Sequence, residues 1–176
     1  LFTTQFVRYG LGVREDIAVL HTSLLGATYY QEVVRAQFKT LIIEPNASNM
    51  VLEALVRENI QKRRIFSNTT LSIGSGWYYI PHGLVYEIVS EQQLPPIATL
   101  RKQNDAIFQA FHNPLSGILS RYKHLMLSDV LDVYAWAHIN YGKTLIKAAV
   151  YDDAIAQFEQ AAHLEGDSSK VDAYKY

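Results

Sequence analysis

Six histidines are the first candidates for chemistry: His21, His82, His112, His124, His138 and His163. No two stand four apart with a carboxylate, and no pair has ligand spacing, so the sequence offers no metal centre. Paired carboxylates come next. Asp129 and Asp132 share a helix face, while Glu15–Asp16 and Asp152–Asp153 are adjacent. Such pairs do acid–base work only when held across a cleft. Asp152–Asp153 falls where a helix should begin and is accounted for by the positive end of that helix. Gly74-Ser75-Gly76 lacks the third glycine of a dinucleotide fingerprint and reads as a turn. Ser23, Ser75 and Ser116 lack the context of a nucleophile elbow. The short basic run Gln61–Arg64 reads as a solvated strand entrance or a contact for an acidic partner or lipid headgroups. These residues name no reaction and imply no cofactor. One enzymatic alternative remains, a site at the end of a first strand near Thr22 and Ser23, because open α/β sheets bind ligands at strand ends.

Aromatic residues carry more signal: 12 Tyr, 7 Phe and 2 Trp. Trp77, Tyr78 and Tyr79 crowd together beside the glycine turn and are expected on a loop. There they would stack on a sugar, anchor a protein partner, or cap the sheet. Two sequons, Asn46-Ala-Ser48 and Asn68-Thr-Thr70, make Asn46 and Asn68 glycosylation acceptors if the chain is extracytoplasmic.

The elements that must position these residues follow from patterning. Hydrophobic residues make up 49% of the 176 and charged residues 19%, enough for a packed core. The net charge of -1 excludes affinity built on neutralising phosphates, so no nucleic acid is expected. Without cysteine there is neither a disulfide nor a thiolate site. No apolar run approaches the roughly 20 residues of a membrane span. The opening LFTTQFVRYG carries no initiator Met and predicts a chain that is processed or cut from a longer one. Asp16–Leu25 reads as a buried strand, Thr28–Phe38 and Ser48–Ile60 as helices, the second capped by Ser48 or Asn49, residues 63–73 as extended, and His82–Ser90 as a second clear strand. That alternation predicts an α/β domain over 1–93, with a mixed or parallel sheet and flanking helices. Pro95–Pro96 marks the boundary. Residues 97–176 read as an all-α segment, with helices over 97–113, in 115–127, from Ser128 onward, and from Asp152 to about Gly166.

Within Ala135–Ser168, Gly142, Tyr151, Ala154, Phe158 and Ala161 fall at the offsets of small and aromatic positions in a two-helix hairpin. The stretch resembles one tetratricopeptide repeat. His138, Leu145 and Gly166 stand where that pattern has Trp, Tyr and Pro, and Ala149 replaces a common loop glycine. A lone repeat cannot bury its face and must pack on other helices or another chain.

Three motifs in order, GVREDIAVLHTSLLGATYY, KRRIFSNTT and YIPHGLVYEIVSEQ, resemble the soluble region of membrane-embedded C-superfamily glycosyltransferases related to protein O-mannosyltransferases. The resemblance implies an extracytoplasmic, glycosyltransferase-associated accessory domain. The family's acidic motif and membrane helices are not in this chain, so the chain would not itself be the catalyst. A non-catalytic domain for protein–protein interaction is therefore expected, its partner a protein, an identical subunit or a glycan. The alternative is self-assembly as a filament or surface-layer subunit through the apolar ends LFTTQF and AYKY.

Overall fold

The computed structural model describes residues 8, 10–14, 16–44, 51–111 and 127–165. Five α-helices and a small sheet lie among them, a mixed α/β chain in which helices dominate. The helices are α1 (Thr28–Gln37), α2 (Val51–Asn59), α3 (Ile97–Ala110), α4 (Leu127–Lys147) and α5 (Tyr151–Glu165). The strands are β1 (Ile65–Ser67), β2 (Trp77–His82) and β3 (Val85–Ser90), in the order β1-β3-β2. Contacts divide the chain into two compact units. One is Leu1–Ile65 with Leu71–Ser75; the other is Phe66–Thr70 with Gly76–Tyr176. Pro95–Pro96 thus lies inside the second unit, which holds the β2–β3 hairpin together with α3, α4 and α5.

Two expectations are corrected. Asp16–Leu25 is not a strand but irregular chain ending in a 3-10 turn, Thr22–Leu24. A short apolar run reads the same whether it feeds a sheet or packs directly on a helix. Here Leu25 joins Val34, Leu41, Ile43, Val51 and Leu55 in the core of the first unit. The sheet is also not parallel. β2 pairs antiparallel with β3, from Trp77 opposite Ser90 to His82 opposite Val85. The two-residue loop Gly83–Leu84 explains this, since adjacent strands joined so tightly can only run antiparallel. Gly83 has φ +61°, and a Cβ there would stand 2.5 Å from Ile107 Cγ2, so glycine is required twice over.

Each unit contains a fully buried asparagine. In the first, Asn59 donates from Nδ2 to Leu55 O (2.8 Å) and Ile42 O (2.7 Å) and accepts from Ile42 N (3.0 Å). In the second, Asn104 donates to Leu100 O (3.0 Å) and Pro81 O (2.9 Å) and accepts from Gly83 N (2.9 Å). Both occupy the last place of a Leu-x-x-x-Asn run on a helix, Leu55–Asn59 and Leu100–Asn104.

The second unit has two contiguous apolar clusters. Ile80 and Val89 of the hairpin pack with Leu100, Tyr141, Leu145 and Ala154, while Ala135 and Ile139 pack with Ala161 and Leu164. The pairing of early α4 with late α5 makes these two helices an antiparallel hairpin. Its loop closes as a Schellman motif: Val150 N bonds Leu145 O (2.9 Å), Ala149 N bonds Ile146 O (2.9 Å), and Ala149 takes φ +58°.

Candidate binding site

The hairpin residues picked out by spacing come together, with one exception. A Cβ on Gly142 would lie 2.9 Å from two ring carbons of Phe158 and 3.3 Å from Ala154 O, so the two backbones approach as closely as a glycine allows. Ala154 and Ala161 are buried against α4. Tyr151 is instead the first residue of α5 and is 60% exposed. Ile155, one turn on, is 55% exposed, so Tyr151 and Ile155 form a short apolar pair outside the face that meets α4, whereas the half-buried Phe158 packs against Gly142 of α4.

The aromatic triplet is not on a loop. Trp77, Tyr78 and Tyr79 begin β2, where strand alternation separates them. Trp77 and Tyr79 share one face and are half-buried, with Tyr79 edge-on to Tyr86 at 6.0 Å between ring centroids. Tyr78 points to the other face, opposite Val89. The three rings therefore form no common platform. Their loop-like appearance came from Pro81, which an edge strand tolerates: opposite Tyr86, its missing N–H would point away from β3.

Asn68 is exposed in a turn where Ser67 Oγ donates to Thr69 O (2.6 Å) and accepts from Thr69 N (3.3 Å). Asn46, the cap expected at Ser48 or Asn49, the apolar end Leu1–Phe6, residues 115–126 of the helix expected in 115–127, and the terminal AYKY lie outside the described residues, while Ser128, expected as a cap, falls within α4. Ser23 Oγ lies 2.8 Å from His21 Nδ1, a serine–histidine contact. Among the described residues no carboxylate bonds that imidazole as the third member of a nucleophile–base triad would.

Two depressions in the second unit gather side chains of mixed chemistry. One, about 380 Å³, lies along α3, α4 and α5 over Phe108, Phe111 and Tyr134. His138 stacks on Phe108 there at 4.2 Å and donates from Nδ1 to Gln157 Oε1 at 2.7 Å. Burial lowers its pKa, with the Gln157 bond opposing, so the ring is neutral near pH 7. Close by, Tyr141 reaches toward Asp105 at 3.5 Å, and burial and then the Asp105 charge push its phenol well above the ordinary range.

The other depression, about 220 Å³, lies between the hairpin turn and α4. Trp136, 48% exposed, and Tyr86 supply rings; Asp132, Asn140 and Asn68 supply polar groups. Asp132, Trp136 and Asn140 recur every fourth residue on one face of α4. That spacing is visible in the sequence, but only the hairpin turn packed beside it makes a groove. Lys143 Nζ sits 5.7 Å from the Trp136 ring centroid. Among the described residues no group of three or more His, Cys, Asp or Glu could hold a metal ion, and no helix is long and apolar enough to cross a membrane. Comparisons with protein-family models, curated proteins and solved structures find no match to this chain.

Proposed function

We propose that the chain is a non-catalytic binding and assembly module that engages another polypeptide through the outer stripe of α5. The observation that carries this reading is the pair of apolar stripes on that helix. Ala154, Ala161 and Leu164 are consumed by α4, while Tyr151 and Ile155 stay exposed one turn apart. In a stacked helical repeat the outer stripe is where the next helix packs, and an isolated repeat leaves it bare. The close Gly142–Phe158–Ala154 approach supports a tetratricopeptide-like hairpin, and the resemblance to the extramembrane part of membrane glycosyltransferases supports an extracytoplasmic, accessory role. Two of the motifs behind that resemblance supply β1 and the β2–β3 hairpin. The simplest occupant of the stripe is the same stripe of a second copy, a self-complementary contact.

Sedimentation of the protein over a concentration series tests the reading. A reversible dimer is expected, with Tyr151→Glu/Ile155→Glu remaining monomeric. A wild-type chain that stays monomeric throughout the series overturns it.

A further inference from the structure

We infer that the groove between the β2–β3 turn and α4 binds a neutral saccharide, with one pyranose ring against Trp136 and its hydroxyls on Asp132 and Asn140. The site is distinct from the α5 stripe and stands or falls without it. Three observations favour this ligand.

The first is the combination of groups. A half-exposed indole and a phenol line the same small concavity as a carboxylate and two carboxamides. Apolar faces that exclude water, with a few polar groups that fix orientation, are the ordinary makeup of a small-ligand site. The space, about 220 Å³, suits a single ring rather than a folded surface or a helix.

The second is that these polar groups are unspent. Among the described residues, none hydrogen-bonds the half-buried side chains of Asp132 or Asn140, and none bonds the Tyr86 hydroxyl. A carboxylate accepts only, a carboxamide both donates and accepts, and a phenol does both. Vicinal hydroxyls, each donor and acceptor, answer that set. An apolar occupant would leave Asp132 desolvated and unpaired, which is costly.

The third is charge. Among the described residues Asp132 is the one charged group lining the groove, and Lys143 Nζ lies over the Trp136 ring, 5.7 Å from its centroid, so the local balance is near zero. A strongly charged ligand would find no matching field. A neutral polyol loses little water and gains a ring face whose electron-rich surface attracts the weakly positive C–H edge of a sugar.

Saturation-transfer NMR with methyl β-glucopyranoside, methyl α-mannopyranoside and N-acetylglucosamine tests this, each added to the intact protein at millimolar concentration. At least one should receive saturation, strongest at the ring protons on one face. Trp136→Ala should weaken that binding about tenfold, and Asp132→Asn by a smaller factor. Trp136→Phe keeps a ring and should retain part of it, which separates lost stacking from lost folding. Tyr151→Glu should leave the signal unchanged, so that sugar binding and self-association are read independently. The inference is overturned if none of the three sugars gives a signal, or if the signal survives Trp136→Ala. It is equally overturned if tetramethylammonium binds in their place and is lost in Asp132→Asn, since the groove is then a cation site.

Discussion

The two buried asparagines share a helix position and a Leu-x-x-x-Asn run, yet they perform different work. Asn59 pairs both backbone groups of Ile42, as a neighbouring strand would, in a unit where no described strand lies beside that segment. Asn104 serves a segment that already has a ladder. Pro81 faces Tyr86 across the hairpin in a non-hydrogen-bonded register, so its carbonyl points outward from the edge, and Asn104 takes it together with Gly83 N–H. One side chain substitutes for a strand and the other finishes one. The surroundings differ too: Pro81 and Gly83 are buried, while Ile42 is half-buried.

Burial decides which loss is greater. A buried donor or acceptor left without a partner costs about 1–3 kcal/mol, and less where water can reach it. Asn104→Ala should therefore destabilise by about 3 kcal/mol and Asn59→Ala by about 2 kcal/mol, measured by chemical denaturation, given two orphaned groups in each case. Hydrogen exchange should sharpen the contrast. Asn59→Ala is expected to speed exchange at Ile42 without touching the hairpin, and Asn104→Ala at Gly83. A larger loss for Asn59→Ala would break the comparison, because it would mean that ordering a strandless segment outweighs satisfying a buried edge.

What could be read in advance divides along similar lines. The five helices follow from apolar residues at three- and four-residue spacing, and the contact of Gly142 with Phe158 and Ala154 follows from small residues at fixed offsets. These are local signals. The hairpin's first strand was hidden because Trp77–His82 mixes three rings with a proline, a composition that suits loops; only its place at the sheet edge accommodates Pro81. Asp16–Leu25 misled in the opposite direction, since its apolar residues feed a helix-lined core rather than a ladder. Asn59 and Asn104 look like surface residues until one notes that each falls four after a buried leucine, on the inward face. The groove at Trp136 depends on two segments about 50 residues apart, which periodicity along α4 alone does not join.

The second unit differs from the first in resting on close backbone approach, and Gly142 tests that directly. Alanine is the better helix former by about 1 kcal/mol, but overpacking costs about 1–3 kcal/mol. With a new methyl 2.9 Å from the Phe158 ring, the clash should win. Gly142→Ala is expected to destabilise the second unit by about 1 kcal/mol net, and Phe158→Leu in the same chain should recover part of that loss. A stabilised Gly142→Ala would show that the ring moves aside freely and that α4 and α5 are looser than the asparagine-held segments.

The smallest expected effect has the opposite sign. Ala149 holds φ +58° at the residue where the Schellman loop closes, a conformation that costs a non-glycine residue about 1–2 kcal/mol. Glycine removes that cost but adds freedom to the unfolded chain worth about 0.4–1 kcal/mol. Ala149→Gly should therefore stabilise by about 0.5 kcal/mol, seen as a small rise in the denaturation midpoint with an unchanged slope. Because the loop belongs to the second unit, the gain should appear in the exchange rates of α4 and α5 and be absent at Ile42. A gain shared by both would mean that the units unfold as one, and the contrast between the two asparagines would then have to be read from local exchange alone.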